Sequence, residues 1–194
     1  KAVGWLGASG HQRVYVNPVN RKVHLTASVH SGVSGGEFGR LVQIDPDSGR
    51  VKLIELPIAS AEDLAFDLDG RAYLRQVGPH RVVRFDPVSW REIPWDYGEE
   101  GTDKKTRIQS GLTLPSVNTG WNSQGGLAVS PRGHVAVWCA SGGVEMNENQ
   151  RKRGMGQGKP YQPPVYPGRQ MMGSLHIFDV HGKVLMEDAV PGLS

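Results

Sequence analysis

A single cysteine, Cys139, stands in a chain of 194 residues. That excludes an internal disulfide, a CxxC zinc site, a CxxCH haem attachment and an iron–sulfur cluster, all of which need at least two. Long apolar runs are missing as well. The longest, from Val135 to Ala140, is far short of the roughly 20 residues of a membrane-spanning helix. No window of helical length keeps a 3.6-residue apolar period, and no N-terminal stretch has the succession of a signal peptide. Charge of one sign is scarce: 22 Lys and Arg against 19 Asp and Glu leave a net +3. The chain carries no RNA-binding motif, so no nucleic-acid partner is expected. It also lacks the GxSxG elbow of serine hydrolases and the GxxxxGK(S/T) phosphate loop. Gly32-Val33-Ser34-Gly35-Gly36 is glycine-rich but has no strand-then-helix context.

What is present is strand and turn chemistry. The 26 Gly and 13 Pro make up about a fifth of the chain, against roughly 12% in average usage. Val and Ile together outnumber Leu two to one, the bias of a pleated, half-buried surface. Three segments share a hairpin pattern: Val14 to Leu25, Leu64 to Leu74 and Leu127 to Val137. Each is a short apolar strand, a polar turn and a second apolar strand. Asn20, Gly70 and Gly133 are expected at the turn position that wants a positive φ. A second hairpin follows each: Arg40 to Ile54, Arg81 to Ile93 and Ser174 to Met186. Asp45, Asp86 and Asp179 hold the same place in these, where a carboxylate can accept from its own backbone two residues on.

Two hairpins make one four-stranded antiparallel unit. Three such units in tandem, none able to bury its own face, point to blades of an all-β, partial β-propeller. A β-sandwich is the other architecture that short strands allow, but it does not require the same double hairpin three times. The chain is read as one propeller segment, 1–194, with units at about 11–58, 61–96 and 122–190 and long insertions at 97–121 and 142–173.

The motifs Leu64-Ala65-Phe66-Asp67-Leu68-Asp69-Gly70-Arg71-Ala72-Tyr73 and Leu127-Ala128-Val129-Ser130-Pro131-Arg132-Gly133-His134-Val135 resemble the first strands of NHL-repeat and gluconolactonase-type (SMP-30-like) propellers. The run Leu175 to Val184 is similar to the second hairpin of such blades. The resemblance implies the architecture more than an activity, because these repeats carry lactonases, lyases and plain binding scaffolds.

Propellers close with four to eight blades, and three leave two sheet edges open. Further blades are therefore expected, either from more of the same protein or from a second subunit. The opening on Lys1 rather than Met fits removal of something upstream. With the strands of a blade lettered A to D from the axis outward, the A–B and C–D turns are short in all three units. The elaborations 29–39, 96–124 and 142–173 lie elsewhere and should project from one face, the usual place for binding on a rigid scaffold. The longest carries Tyr161, Tyr166, Met171 and Met172 as apolar anchors and Arg151-Lys152-Arg153, with Lys159 and Arg169, as a basic patch. A solvated loop or a protein partner accounts for these, and Trp121 is the tryptophan best placed to face a ligand. Trp95 and Trp138 fall at strand ends, where packing between blades is the simpler account.

The residues just before each A strand should ring the channel mouth on the looped side. They include His11, Glu62, Asp63 and Asn122. Gluconolactonase-like propellers hold a divalent metal there with carboxylate and Asn oxygens, so the resemblance implies Glu62, Asp63 and Asn122 as ligands for Ca²⁺ or Mg²⁺. Two departures stand against it: Gly125-Gly126 replaces Glu62-Asp63 in the third unit, and Asn122 is followed by Ser123 rather than Gly. A histidine version would gather His11, His30 and His80 about Zn²⁺. His24, His134, His176 and His181 are expected to be ordinary surface or half-buried residues, and Cys139 a small buried hydrophobe.

Two functional readings remain. In one, the chain is a binding or assembly module of a larger extracytoplasmic (secreted or periplasmic) protein, working through its looped face. In the other it is a metal-dependent hydrolase or lyase with its site at the channel mouth.

Overall fold

Turn chemistry divides the chain into strands in the computed structural model, which describes residues 14–27, 39–58, 61–76, 80–97, 108–114, 126–140, 173–187 and 189. Regular structure among the described residues is entirely β-strand. The first sheet runs β1 (Val14–Val16), β2 (Val23–Ala27), β3 (Gly39–Ile44) and β4 (Val51–Leu56), each antiparallel to the next. The third runs β12 (Leu127–Val129), β13 (Val135–Ala140), β14 (Gly173–Phe178) and β15 (Val184–Met186) in the same order.

The second sheet begins alike, with β5 (Ala61–Phe66), β6 (Ala72–Gln76) and β7 (Arg81–Phe85). Its outer strand is a composite. The short β8 (Glu92–Ile93) pairs one half of β7, through Arg84 and Phe85. The chain then turns through β9 (Trp95–Asp96) and β10 (Ile108–Gln109), which pair with each other. It returns as β11 (Leu112–Thr113) to pair the other half, through Val82 and Arg81. So part of the stretch read as one insertion, 97–121, is instead the edge of a blade. Leu112 and Leu114 from it are fully buried.

Six turns close the hairpins in two lengths. In Asn17–Arg21, Asp45–Gly49 and Asp86–Trp90 the first residue's N–H donates to the carbonyl five residues on (2.9–3.0 Å), and the fifth residue has a positive φ: Arg21 57°, Gly49 65° and Trp90 56°. In Asp67–Gly70, Ser130–Gly133 and Asp179–Gly182 the bond spans four residues, and the fourth residue, glycine each time, has φ of 79–84°. The expectation for Gly70 and Gly133 therefore holds. That for Asn20 does not: its turn is the longer type, which moves the left-handed position to Arg21. Each leading Asp acts as read: Oδ1 of Asp45, Asp86 and Asp179 accepts from the backbone N–H two residues on, at 2.8–3.1 Å.

Alternation sends successive side chains of a strand to opposite faces, and the sheets stack face to face on this basis. Leu41, Ile54 and Leu56 of the first sheet meet Leu64, Leu74, Val83 and Phe85 of the second in one core. The other face of the second sheet, with Tyr73, Val82 and Trp95, meets Leu127, Val135, Val137, Cys139 and Phe178 of the third in another. The inner strands lie side by side, β5 touching both β1 and β12. Sheets stacked in sequence with their first strands gathered on one line form a partial β-propeller of three blades, not a two-layer sandwich.

Candidate functional site at the propeller axis

Asp63 stands at the middle of the gathered strands and is buried. Its Oδ1 accepts a hydrogen bond from the Tyr15 hydroxyl of the first blade and another, at 3.0 Å, from the N–H of Leu64. Its Oδ2 accepts from the N–H of Leu127 in the third blade at 2.9 Å. One carboxylate thus joins all three blades. Asp63 is also the only residue of the expected metal set whose side chain is described. Its oxygens are engaged by protein donors, so a cation there would compete with the bonds that hold the axis together. Glu62 lies on β5 beside it, while His11, His30 and Asn122 fall outside the described residues, as do Trp121, Arg151, Lys152, Arg153, Tyr161 and Tyr166. Among the described residues no three His, Cys, Asp or Glu side chains gather as a metal site.

The histidines divide differently from expectation. His24 and His176 are fully buried, not superficial. His24 points into the joint between the first two blades, where the Gln43 amide lies 2.9 Å from its Nε2 and Phe66 and Trp90 flank its ring at 5.0 and 5.7 Å. Burial pushes its pKa down to about 4. Its counterpart one blade on is Tyr73, and that equivalence was the available signal. His80 is buried at the start of β7 with neither ring nitrogen hydrogen-bonded. Burial, then the nearby Arg75 charge, pushes its pKa down to about 4. His134 lies in a turn with Nδ1 3.2 Å from Ser130 Oγ, and the exposed His181 sets its Nδ1 3.1 Å from the Asp96 carbonyl. Cys139 is a buried hydrophobe, as read, with burial pushing its thiol up to about 12.

Trp95 is fully buried and donates its indole N–H to the Val82 carbonyl at 3.0 Å. The Arg84 guanidinium lies 4.0 Å over its ring and donates to Pro94 O at 2.6 Å and to Val180 O of the third blade at 3.4 Å. Asn17 does a similar task between the first two blades, donating its amide to Gly70 O at 2.9 Å. Sequence reading missed these joints because each partner lies 48 to 96 residues away.

Beside the axis, at the end bearing the short A–B turns, is an open groove of about 440 Å³ walled by Val14 and Val16 of β1, Phe66 and Leu68 at the end of β5, and Val129 and Pro131 at the end of β12. It lies at the opposite end from the mouth picked out by sequence. At that other end the B–C connections depart, from Ala27 to Gly39, from Gln76 to Arg81 and from Ala140 to Gly173.

No family model matches the chain, and no curated protein matches it. Among solved structures, one described as a luciferin-regenerating enzyme aligns with 90% of this chain and 44% of its own, at 17% identity and a TM-score of 0.45. The chain therefore spans less than half of that protein's length.

Proposed function

We propose that the chain is a β-propeller binding or assembly module of a larger extracytoplasmic protein, contacting a protein partner through the long loops of one face. The observation that carries this reading is the asymmetry of the connections. All six hairpin turns at one end are four or five residues long and tied by their own hydrogen bonds. Two of the three B–C connections at the other end, 28–38 and 141–172, are much longer. Scaffold turns that only reverse the chain stay short, and long loops on one side of a rigid support are where recognition residues accumulate. Tyr161, Tyr166, Trp121 and the Arg151-Lys152-Arg153 patch are the residues assigned to that contact. The extracytoplasmic assignment rests on the resemblance of the repeats.

The experiment replaces 142–172 with a five-residue Gly/Asn turn and compares material purified from the native source. Loss of a defined stoichiometric partner, with the circular dichroism of the strands retained, supports the module. Unchanged recovery of partners, together with stoichiometric Ca²⁺ or Zn²⁺ that is lost in Glu62→Ala or His11→Ala, would turn the assignment to a metal-dependent hydrolase.

A further inference from the structure

Each blade turns the free edge of its innermost strand to the axis. The N–H groups of Asn17, Asp67 and Ser130 donate back across their hairpins to the carbonyls of Lys22, Arg71 and His134. Alternate residues of an antiparallel strand bond the partner strand, and those between face away from it. One residue earlier, Val16, Phe66 and Val129 therefore aim their N–H and C=O groups at the axis. Each is the last paired residue before its turn, opposite Val23, Ala72 and Val135, so the three stand at one level.

Two residues further back the same alternation gives Leu64 and Leu127, and what meets their N–H groups is a carboxylate. Asp63 accepts from both, at 3.0 and 2.9 Å. At the level of Val16, Phe66 and Val129 no acceptor among the described residues takes the corresponding N–H groups. All three residues line the open groove of about 440 Å³ beside the axis. That volume lies within the usual range for a small-molecule site. The walls are apolar, with Val14 65%, Val16 57% and Leu68 62% exposed. The carboxylate in the wall, that of Asp67, is already engaged by the Arg71 N–H and guanidinium and by the Tyr73 hydroxyl.

Charge at this end favours an anion. The three A–B turns and the residue after each carry Arg21, Lys22, Arg71 and Arg132 against Asp67 and Asp69. Both carboxylates pair with Arg71, at 3.3 and 2.7 Å. Arg21 and Arg132 have no acidic partner among the described residues. We propose that the groove binds a small apolar monocarboxylate, of the class of medium-chain fatty acids. Its carboxylate accepts from the N–H groups of Phe66 and Val129, as Asp63 does from Leu64 and Leu127, with Val16 as a third donor. An ionised carboxyl has acceptor sites enough for all three. The carbonyls on the same edges are no bar, since those of Leu64 and Leu127 stand beside Asp63 in the same way. The tail lies against Val14, Leu68 and Pro131. The site is at the opposite end from the looped face and does not depend on the partner assigned there.

The test is titration of the full chain with decanoate, decanol and decyltrimethylammonium, each below micelle formation, followed by amide and methyl nuclear magnetic resonance. Decanoate is expected to saturate. It should move the amide signals of Val16, Phe66 and Val129 and the methyl signals of Val14 and Leu68, and leave the Val82 and Leu112 methyls unmoved. Loss of the charge-assisted bonds should weaken decanol at least about tenfold, and the cation should not saturate. Leu68→Asp puts a like charge in the wall at an exposed turn position, so it should weaken decanoate several-fold with unchanged circular dichroism. Val129→Pro deletes an inward N–H that no ladder bond uses, and it should weaken decanoate but not decanol. Should that variant lose its strand signal, Leu68→Asp and the three head groups still decide. Absence of saturable decanoate binding overturns the proposal. So do equal affinities for decanoate and decanol, binding untouched by Leu68→Asp, or shifts confined to the looped end. Trimming 142–172 should leave decanoate binding intact, which keeps failure of this site distinct from failure of the looped-face reading.

Discussion

Replacing Asp63 with Ala removes the acceptor shared by Tyr15, Leu64 and Leu127. A hydrogen bond to a charged group contributes about 1.5–3 kcal/mol, and a buried donor left without a partner costs about 1–3 kcal/mol. Tyr15 is half-buried and can turn its hydroxyl to water, so most of the loss falls on the two backbone N–H groups. The expected cost is about 3–5 kcal/mol. For a domain of this size that lowers Tm by roughly 10 °C. Asp63→Asn keeps one acceptor oxygen and should lose about half as much. Urea unfolding followed by tryptophan fluorescence and circular dichroism measures both, and a double-mutant cycle with Tyr15→Phe should return a coupling of about 1 kcal/mol or more. An Asp63→Ala protein within 0.5 kcal/mol of wild type would refute the argument that this carboxylate ties the blades.

Acid should weaken the protein through His24 and His80. Their folded-state pKa values of about 4 lie below the ordinary 6.5, so between these limits the unfolded chain binds more protons and stability falls as pH falls. Each imidazole is expected to remove on the order of 3 kcal/mol across that window; His80→Leu should flatten the slope of unfolding free energy between pH 6.5 and 4, and an unchanged slope counts against its burial. Gly70→Ala meets both a positive φ and Asn17 Oδ1 2.8 Å from the new Cβ, whereas Gly49→Ala meets only the positive φ. The first should cost about 2 kcal/mol or more and the second about 1 kcal/mol, with equal losses speaking against the Asn17 joint. Trp95→Phe removes the bond to Val82 O and weakens the Arg84 stack, an expected loss of about 2 kcal/mol that thermal unfolding will read.

The double hairpins were legible because they are local. A turn led by Asp45, Asp86 or Asp179 advertises itself through one side chain and its own backbone, and alternation marks the strands on either side. Turn length was less legible: Asn20 and Gly70 look equivalent, yet one more residue in the first turn shifts the left-handed position to Arg21. The composite outer edge of the second blade was hidden because β8 and β11 are two residues each and have no counterpart in the repeat. The axis was only half legible. Asp63 was singled out by its place before the A strand, but as a metal ligand. Its bonds to Tyr15 and Leu127 depend on how separate blades meet, and no local pattern encodes that.

The radial order of the sheets is tested most directly by methyl nuclear Overhauser contacts in the labelled protein. The account predicts cross-peaks linking Ile54 with the Leu64, Leu74 and Val83 group, and others linking Val82 and Leu112 with the Val135 and Val137 group. Cross-peaks joining Ile54 or Leu41 directly to Val135 or Val137 would contradict it, because they require the first and third sheets to face each other.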